Sequence, residues 1–213
     1  MTPARTLVIT VDGPAASGKG TIASQLGRAF GLPVLDTGLL YRAVGVRTTD
    51  PGDAAAAEAA ARALAVADLA DPAFRTRAAG EAASRVAVHP QVRAALLALQ
   101  QDFARRPDGA VLDGRDMGTV IAPWAPAKLY VTASPEVRAE RRRRQLAVQG
   151  EAVAFEEVLA DIRRRDARDA GREAAPMRPA EDAVLLDTSE MTIEQAADAA
   201  RRIVEAARAR LPG

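Results

Sequence analysis

Short apolar segments that stop at a polar residue recur along the chain and predict β-strands. They are Leu7–Val11, Pro33–Leu35, Ala110–Leu112, Lys128–Val131 and Val184–Leu186. The residues that close them are, in the same order, Asp12, Asp36, Asp113, Thr132 and Asp187. Segments with helical periodicity separate these runs, and this alternation is typical of an α/β fold whose mainly parallel sheet is covered on both faces. Because ligands of such sheets bind beyond the carboxyl ends of the strands, the closing polar residues are expected to outline a cleft.

Helix boundaries are well marked in several segments. A helix over Thr21–Phe30 precedes a glycine, and one over Pro90–Arg106 precedes a proline. Ser134 is a predicted N-cap followed by proline at the first helical position, and Thr192 opens a predicted capping box before the last helix. The alanine-rich segment Asp50–Ala70 predicts a single helix.

The first predicted strand runs into a glycine-rich segment with the pattern G-x-x-x-x-G-K. It comprises Gly13, Pro14, Ala15, Ala16, Ser17, Gly18, Lys19, Gly20 and Thr21. Backbone N–H groups of such a loop point inward and the next helix adds its positive end, so the segment predicts a nucleotide-phosphate site. Lys19 is then placed to reach the outer phosphates, and the Thr21 hydroxyl to contact Mg²⁺ or its water. The alternative is an ordinary glycine-rich turn between a strand and a helix.

Two segments that follow predicted strands carry further candidate chemistry. Residues 37–42 offer a hydroxyl, a phenol and a guanidinium, and Arg42 is suited to bind a phosphate. A capped helix with a solvated arginine is the alternative there. After the third strand, Asp113 is suited to hold Mg²⁺ or its waters, and Arg115 and Asp116 lie between two glycines, where a ligand can approach the backbone. A salt-bridged turn is the competing interpretation.

Two arginine-rich segments remain ambiguous by pattern alone. On a helix, Arg165, Asp169 and Arg172 share one face and Arg168 lies beside it. Solvated ion pairs on a helix surface explain that spacing equally well. The arginine run at residues 141–144 predicts a solvated helix face.

Composition narrows the classes of function. The chain has 29 basic and 28 acidic residues, which argues against a nucleic-acid polymer as partner. Without cysteine it has no disulfide, thiolate metal site or cysteine nucleophile. Its apolar segments are too short to cross a membrane, and residues 1–6 lack the apolar stretch of a secretion signal, so a cytoplasmic protein is expected. The single histidine, His89, precedes a proline and is predicted to enter a helix rather than to act as a base.

Five motifs taken together resemble those of bacterial cytidylate kinases, within the nucleoside monophosphate kinase group of P-loop proteins. They are GPAASGKGT (13–21), LDTGLLYR (35–42), AASRVAVHPQVR (82–93), LDGRDMGT (112–119) and RRDARDAGR (164–172). The resemblance covers most of the chain and is most specific around residues 112–119. It implies a P-loop kinase fold with a five-stranded parallel sheet flanked by helices. It also implies transfer of the γ-phosphoryl group of ATP to CMP or dCMP, in pyrimidine nucleotide metabolism, with Mg²⁺.

The resemblance assigns the donor side of the reaction. The loop at residues 13–21 would bind ATP. The implied catalytic residues are Lys19, Arg115, Arg165 and Arg168. Thr21 and Asp113 would hold Mg²⁺, Asp113 through water.

The same resemblance assigns the acceptor side. Its implied residues are Thr37, Tyr41, Arg42, Ser84, Arg93, Arg115, Asp116, Arg165, Asp169 and Arg172. Asp116 would accept a hydrogen bond from the N4 amino group of cytosine, while Arg93 and Ser84 serve its acceptor atoms. UMP would present a carbonyl oxygen to Asp116 and leave buried polar groups mismatched.

The resemblance also implies how the chain is organised. Residues 1–213 would form one domain with its core at about 1–42, 89–140 and 173–213. An insertion at about 43–88 would bind the monophosphate, and a short lid would span about 141–172. Many relatives carry a small antiparallel β element in that insertion, whereas Ala54–Ala79 is alanine-rich and poor in strand formers, so the element is expected to be reduced or absent. A monomer is expected.

Two other functions are compatible with the glycine-rich loop. A kinase for another monophosphate, UMP or AMP, would share the loop but surround Asp116 with other residues. A non-catalytic nucleotide-binding switch would need no acceptor site. Switches that read guanine normally use an Asn-Lys-x-Asp motif, and the chain contains no asparagine.

Overall fold

The computed structural model describes residues 6–211, so the predictions for residues 1–5 and 212–213 lie outside the described part of the chain. Its strands are β1 (Val8–Asp12), β2 (Val34–Asp36), β3 (Ala110–Gly114), β4 (Ala127–Thr132) and β5 (Val184–Asp187). Each overlaps a predicted strand and extends to include the polar residue that was expected to close it. The strand predictions are therefore confirmed.

Helices connect the strands. They are α1 (Lys19–Phe30), α2 (Thr37–Arg47), α3 (Ala54–Arg62), α4 (Arg77–Val86), α5 (Pro90–Ala104), α6 (Pro135–Val148), α7 (Phe155–Ala170) and α8 (Ile193–Arg208). Ser134 caps α6 through the Val137 N–H, Thr192 forms the predicted capping box of α8, and His89 is the residue before α5. Among residues 6–211, no helix has both the length and the apolarity needed to cross a bilayer.

All strands pair in parallel in the order β2-β3-β1-β4-β5. The register places Asp36 beside Asp113, and Asp113 beside Val11. At the other side of the sheet, Thr132 lies beside Asp187. The polar residues that close the strands therefore lie along one edge of the sheet, which the sequence predicted to border a cleft.

The sheet is buried on both faces. One face packs against α1 and α8 through residues such as Ile9, Leu26 and Val204, and the other packs against α2 and α5. Successive side chains of β1 point to opposite faces of the sheet. Val8 therefore lies in the apolar cluster on one face and Ile9 in the cluster on the other. A smaller apolar cluster joins α6 to α7. Helices α6 and α7 therefore have a packing contact of their own, separate from the two clusters on the faces of the sheet.

The structure corrects the prediction of one helix over Asp50–Ala70. The Asp53 side chain caps α3, which ends at Arg62, and a 3₁₀ turn follows at Val66–Ala70. Leu64 is buried in the core, and the Asp68 carboxylate accepts the N–H of Ala65, so burial and a new cap interrupt the helix. Residues 43–88 contain helices and 3₁₀ turns but no strand, as expected for a reduced insertion.

Candidate active site

The loop between β1 and α1 has the backbone that an anion-binding nest requires. Gly13 has a φ of 145°, and a Cβ there would lie 1.9 Å from the Val131 carbonyl oxygen, so only glycine fits. Ala16 and Gly18 also have positive φ, of 60° and 92°. Helix α1 then begins at Lys19, with its N-terminus behind the loop. This arrangement turns backbone N–H groups and a helix dipole toward the same point.

Lys19 and Asp113 form a buried ion pair at the base of the loop. The Nζ of Lys19 lies 3.1 Å from Oδ1 of Asp113, and the Asp113 side chain is 3% exposed. Burial lowers the pKa of Lys19 and raises the pKa of Asp113, and each charge opposes the shift of the other. Burial is unfavourable for both charged groups. A bound phosphate that pairs with the Lys19 ammonium would offset this cost and would leave the Asp113 carboxylate free to bind another cation.

A cavity of about 740 Å³ lies against this loop, at the carboxyl edge of the sheet. Ala15 and Ala16 of the loop line it. Its cationic lining residues are Lys19, Arg42, Arg75, Arg77, Arg115, Arg142, Arg164 and Arg165. Its acidic ones are Asp36, Glu81, Glu151 and Asp161. The eight cations outnumber the four carboxylates, so the cavity suits a polyanion of nucleotide size.

A second cavity, of about 40 Å³, lies next to the first and is lined by most of the acceptor-side candidates. Those that line it are Thr37, Tyr41, Ser84, Arg93, Arg115, Asp116, Arg165, Asp169 and Arg172. They come from α2, α4, α5, the end of β3, α7 and the residues just after α7. Tertiary folding alone brings these separate motifs together.

Asp169 organises the arginines of the small cavity. Its carboxylate lies 3.0 Å from Nε of Arg115, 3.9 Å from Nε of Arg165 and 4.0 Å from Nη1 of Arg172. Burial works against its charge, but these arginines outweigh it and lower the pKa of Asp169. Burial, with Arg115 nearby, lowers the pKa of Arg165 to about 10.

Several guanidinium donors in the small cavity remain available. Nε of Arg165, and Nε and Nη2 of Arg172, are buried and have no hydrogen-bond partner among the described residues. Unused buried donors of this kind are costly unless an anion or an acceptor group binds there.

Asp116 and Arg93 form a second buried pair on the far side of this cavity. Arg93 donates to Oδ2 of Asp116, and their side chains are 10% and 4% exposed. The Arg93 guanidinium also stacks on the Tyr41 ring, 5.5 Å from its centroid. The pair therefore presents a carboxylate and a guanidinium side by side, which matches the donor and acceptor edge of a pyrimidine.

Two predicted site residues are engaged with neighbouring helices. Arg42 lines the large cavity, but its Nη1 donates to the carbonyl oxygens of Phe74 and Thr76 at 3.2 and 3.3 Å. Arg168 lines neither cavity. Its guanidinium donates to Ser84 Oγ at 2.8 Å and pairs with Glu81 at 3.1 Å, which links α7 to α4.

The arginine run at residues 141–144 is only partly the solvated face that the sequence predicted. Arg143 and Arg144 do pair with Glu140 on the outer side of α6. Arg142, however, lines the large cavity, and Nη1 of Arg141 donates to the carbonyl oxygen of Ser17 in the glycine-rich loop. The spacing of the arginines was the signal that the sequence offered. Residues 138 and 142 are four apart and therefore share one face of the helix, which points inward.

Arg138 is a further residue that sequence reasoning left out of the site, and Asp36 was predicted only as a strand-closing residue at the edge of the cleft. Arg138 is buried, donates to the carbonyl oxygen of Ala15 and forks onto Asp166 of α7, so it joins the loop to the predicted lid. Asp36 lines the large cavity. Its position at the end of β2, directly before the predicted Thr37, was the available signal.

The two residues expected to hold Mg²⁺, Thr21 and Asp113, fit that role. Oδ1 of Asp113 is buried and accepts no hydrogen bond among the described residues, although Lys19 Nζ is close. Thr21 is exposed on the first turn of α1, and a Cβ on Gly20 would lie 3.2 Å from Oδ2 of Asp113. One carboxylate and one hydroxyl beside a phosphate site fit Mg²⁺, which takes most of its ligands from water and substrate phosphates. Residues 6–211 contain no cluster of three or more acidic, histidine or cysteine side chains that would hold an ion unaided.

Comparison with known proteins gives one consistent family. The family model described as Cytidylate kinase matches residues 9–206. A cytidylate kinase from Caulobacter sp. (strain K31) is 70% identical over 207 residues, which is 95% of this chain and 96% of that protein. A cytidylate kinase from Xanthobacter autotrophicus is 63% identical and covers 95% of this chain and 99% of its own length.

Solved structures agree on the fold. An uncharacterised protein from Eubacterium ventriosum superposes with a TM-score of 0.59 at 11% identity, over 95% of this chain and 99% of its own. A sugar kinase from Janibacter sp. gives a TM-score of 0.50 at 17% identity, over 98% and 99% of the two chains. At these identities the likeness concerns architecture alone.

Proposed function

As a member of the cytidylate kinase family, this chain transfers the γ-phosphoryl group of ATP to CMP or dCMP, and we propose that the two adjoining cavities hold the two nucleotides. The large cavity beside the glycine-rich loop takes ATP and the phosphate end of the acceptor. The small cavity, at about 40 Å³, has to widen by movement of its lining side chains to take the ribose and base of the monophosphate.

The observation that carries this proposal is that both cavities are lined by the same two arginines, Arg115 and Arg165. A group shared by two anion sites lies where their phosphates meet. Phosphoryl transfer needs little covalent chemistry from the protein, since positioning the two nucleotides in line and neutralising charge supply most of the rate. Two shared guanidiniums at the junction provide both.

On the donor side, the backbone N–H groups of the glycine-rich loop, apart from Pro14, which has none, hold the ATP phosphates, and Lys19 leaves Asp113 to contact the transferring group. Thr21 and Asp113 would hold Mg²⁺, the latter through water. When bound, Mg²⁺ neutralises phosphate charge and orients the phosphate chain. Arg142 adds a cation on the lid side of the same cavity.

On the acceptor side, Arg42, Arg115 and Arg165 bind the phosphate of CMP. Asp169 and Arg172 contact the ribose and the base side. Base choice follows from Asp116, which accepts from the N4 amino group of cytosine, with Arg93 and Ser84 on the acceptor atoms of the ring. A buried carboxylate that needs a donor rejects uracil strongly, because uracil offers a carbonyl oxygen at that position.

An ADP-release assay with ATP, Mg²⁺ and each monophosphate in turn tests the proposal. We expect CMP and dCMP to be turned over well above UMP, AMP and GMP. A preference for UMP or AMP would favour another monophosphate kinase. ADP release unaffected by any monophosphate would favour a nucleotide switch, although the acceptor-side arginines give a switch no evident use.

Arg168 allows a separate prediction, because its contacts with Glu81 and Ser84 offer a structural role as well as a catalytic one. If it stabilises charge in the transition state, Arg168→Met lowers kcat about tenfold to a hundredfold with little change in the KM for CMP. Glu81→Gln is the matched control, since it removes the ion pair and keeps the cation. Equal losses in both variants would mean that Arg168 acts by holding α7 to α4.

We further propose that one domain carries these parts, with the core, insertion and lid at the boundaries predicted from the sequence. Leu146 of α6 packs in one apolar cluster with Val158, Leu159 and Ile162 of α7, which supports the assignment of residues 141–172 to one packed segment. A monomer is part of the same proposal, and size-exclusion chromatography with light scattering tests it. A place in cytoplasmic pyrimidine nucleotide metabolism follows from the substrates, since ATP and free monophosphates are cytoplasmic solutes.

A further inference from the structure

Asp12 is a buried carboxylate that lines neither cavity. It is the last residue of β1 and directly precedes Gly13, the first residue of the glycine-rich loop. Both of its oxygens are used: Oδ1 accepts the N–H of Met117 and Oδ2 accepts the N–H of Gly118, each at 2.8 Å. These two donors follow Arg115 and Asp116 in the chain. One side chain on the donor-loop strand thus holds the segment that carries the acceptor-side residues.

The held segment is a compact unit. Residues Met117–Ile121 form a π-helical turn, and the carbonyl oxygen of Asp116 accepts the N–H groups of Val120 and Ile121 at 2.9 and 3.2 Å. π-Helical turns are rare and are often found at functional sites. The Asp116 carbonyl is hydrogen-bonded within the turn, and the turn is hydrogen-bonded to the Asp12 side chain. The position of the Asp116 side chain therefore depends on Asp12.

The contact needs glycine at position 118. A Cβ on Gly118 would lie 3.1 Å from Thr10 Oγ1, 3.2 Å from Lys128 Cδ and 3.3 Å from Asp12 Oδ2. A methyl group there would require these side-chain atoms to move by a few tenths of an ångström, the Asp12 carboxylate among them. Glycine therefore permits the close approach on which both hydrogen bonds depend.

The carboxylate carries a substantial desolvation cost. Asp12 is 4% exposed and forms no ion pair within residues 6–211. Burial raises the pKa of Asp12 to about 7, although the hydrogen bonds from the two N–H groups lower it. The negative charges of the nearby Asp116 and Asp113 also raise it. A neutral side chain could cap a turn, but it could not accept two consecutive N–H groups with two equivalent oxygens.

We propose that Asp12 is a positioning residue for base selection, which sets Asp116 relative to the ATP-binding loop by holding the Met117–Gly118 backbone. The proposal rests on the proposed function, in which Asp116 reads cytosine. Asp12 itself touches neither nucleotide. Its effect is transmitted through the backbone, so it should appear in the choice between acceptors rather than in the affinity for ATP.

The test compares kcat/KM for CMP and UMP in wild type, Asp12→Asn, Asp116→Ala and Val204→Ala. Asparagine replaces one carboxylate oxygen of Asp12 by an NH₂ group, which faces a backbone N–H and cannot accept from it. One of the two hydrogen bonds is lost while the side chain keeps its size. We expect kcat/KM for CMP to fall about a hundredfold and the CMP-to-UMP ratio about tenfold, with the KM for ATP within about threefold of wild type. Val204→Ala opens a cavity in α8 far from the turn, and should lower the melting temperature without changing the ratio.

The outcomes separate this inference from the assignment on which it rests. If Asp116→Ala relaxes the ratio and Asp12→Asn leaves it at the wild-type value, the role of Asp12 is overturned and the site assignment stands. If Asp116→Ala itself leaves the ratio unchanged, the assignment of base reading fails, and the inference fails with it. Should Asp12→Asn not fold, Gly118→Ala keeps the carboxylate and crowds the same contact, because its methyl group would lie 3.3 Å from Asp12 Oδ2. A wild-type ratio in that variant would likewise overturn the proposal.

Discussion

Replacing Lys19 by methionine is expected to lower kcat by about 10²–10³-fold while the protein stays folded. Lys19 is the cation at the end of the glycine-rich loop, and its Nζ lies 3.1 Å from Asp113 in a buried pair. In the transition state the ammonium would stabilise charge on the transferring phosphoryl group, and methionine keeps the stem without the charge. Steady-state kinetics with saturating ATP and CMP measure the effect.

The chain offers a matched control, because Lys19 and Lys128 are its only lysines. Lys128 is also buried and also paired, with Asp182, but it lies on β4 away from both cavities. Lys128→Met removes the ion pair with the largely exposed Asp182 and should reduce the melting temperature, with a loss of kcat much smaller than that in Lys19→Met. Turnover near the wild-type level in Lys19→Met would remove this lysine from the mechanism.

Replacing Asp116 by alanine is expected to reduce the CMP-to-UMP ratio of kcat/KM on the order of a hundredfold, with a much smaller change in the KM for ATP. Asp116 is buried beside Arg93, so the group that it recognises is desolvated when bound. Cytosine supplies the donor that a carboxylate needs, whereas uracil leaves two acceptors facing each other. Alanine removes that mismatch together with the favourable contact.

Asp116→Asn gives the sharper comparison. Asparagine keeps the shape and offers an amide donor to the O4 of uracil, so UMP should improve relative to CMP by more than it does in the alanine variant. Equal losses for CMP and UMP in both variants would contradict the assignment of base reading to Asp116. Circular dichroism and melting temperature establish that each variant is folded.

Local patterns were enough to predict the loop, the sheet and most helix ends. Gly13 had to be glycine because of the nearby Val131 carbonyl, and its pattern in the sequence was readable without the structure. Helix caps at Ser134 and Thr192 were readable for the same reason, since the capping side chain and its partner lie within three residues. The single helix predicted over Asp50–Ala70 failed where a distant core contact, the burial of Leu64, overrode alanine propensity.

The sequence could not predict which charged residues face the nucleotides. Arg141 and Arg142 have the same residue type as Arg143 and Arg144, and only the packing of α6 beside the loop separates the inward pair from the outward pair. Asp12 was readable as the end of a strand, but its bonds to Met117 and Gly118 span more than a hundred residues.

By itself, then, the sequence determined the order of the elements, the phosphate loop and the set of residue types available at the carboxyl edge of the sheet. Those features depend on interactions between near neighbours in the chain, which recur wherever the same pattern occurs. The tertiary structure decided that Arg115 and Arg165 line both cavities and that Asp169 collects three guanidiniums. Such contacts join segments far apart in the chain, and their geometry is set by how the helices pack on the twisted sheet rather than by any local spacing.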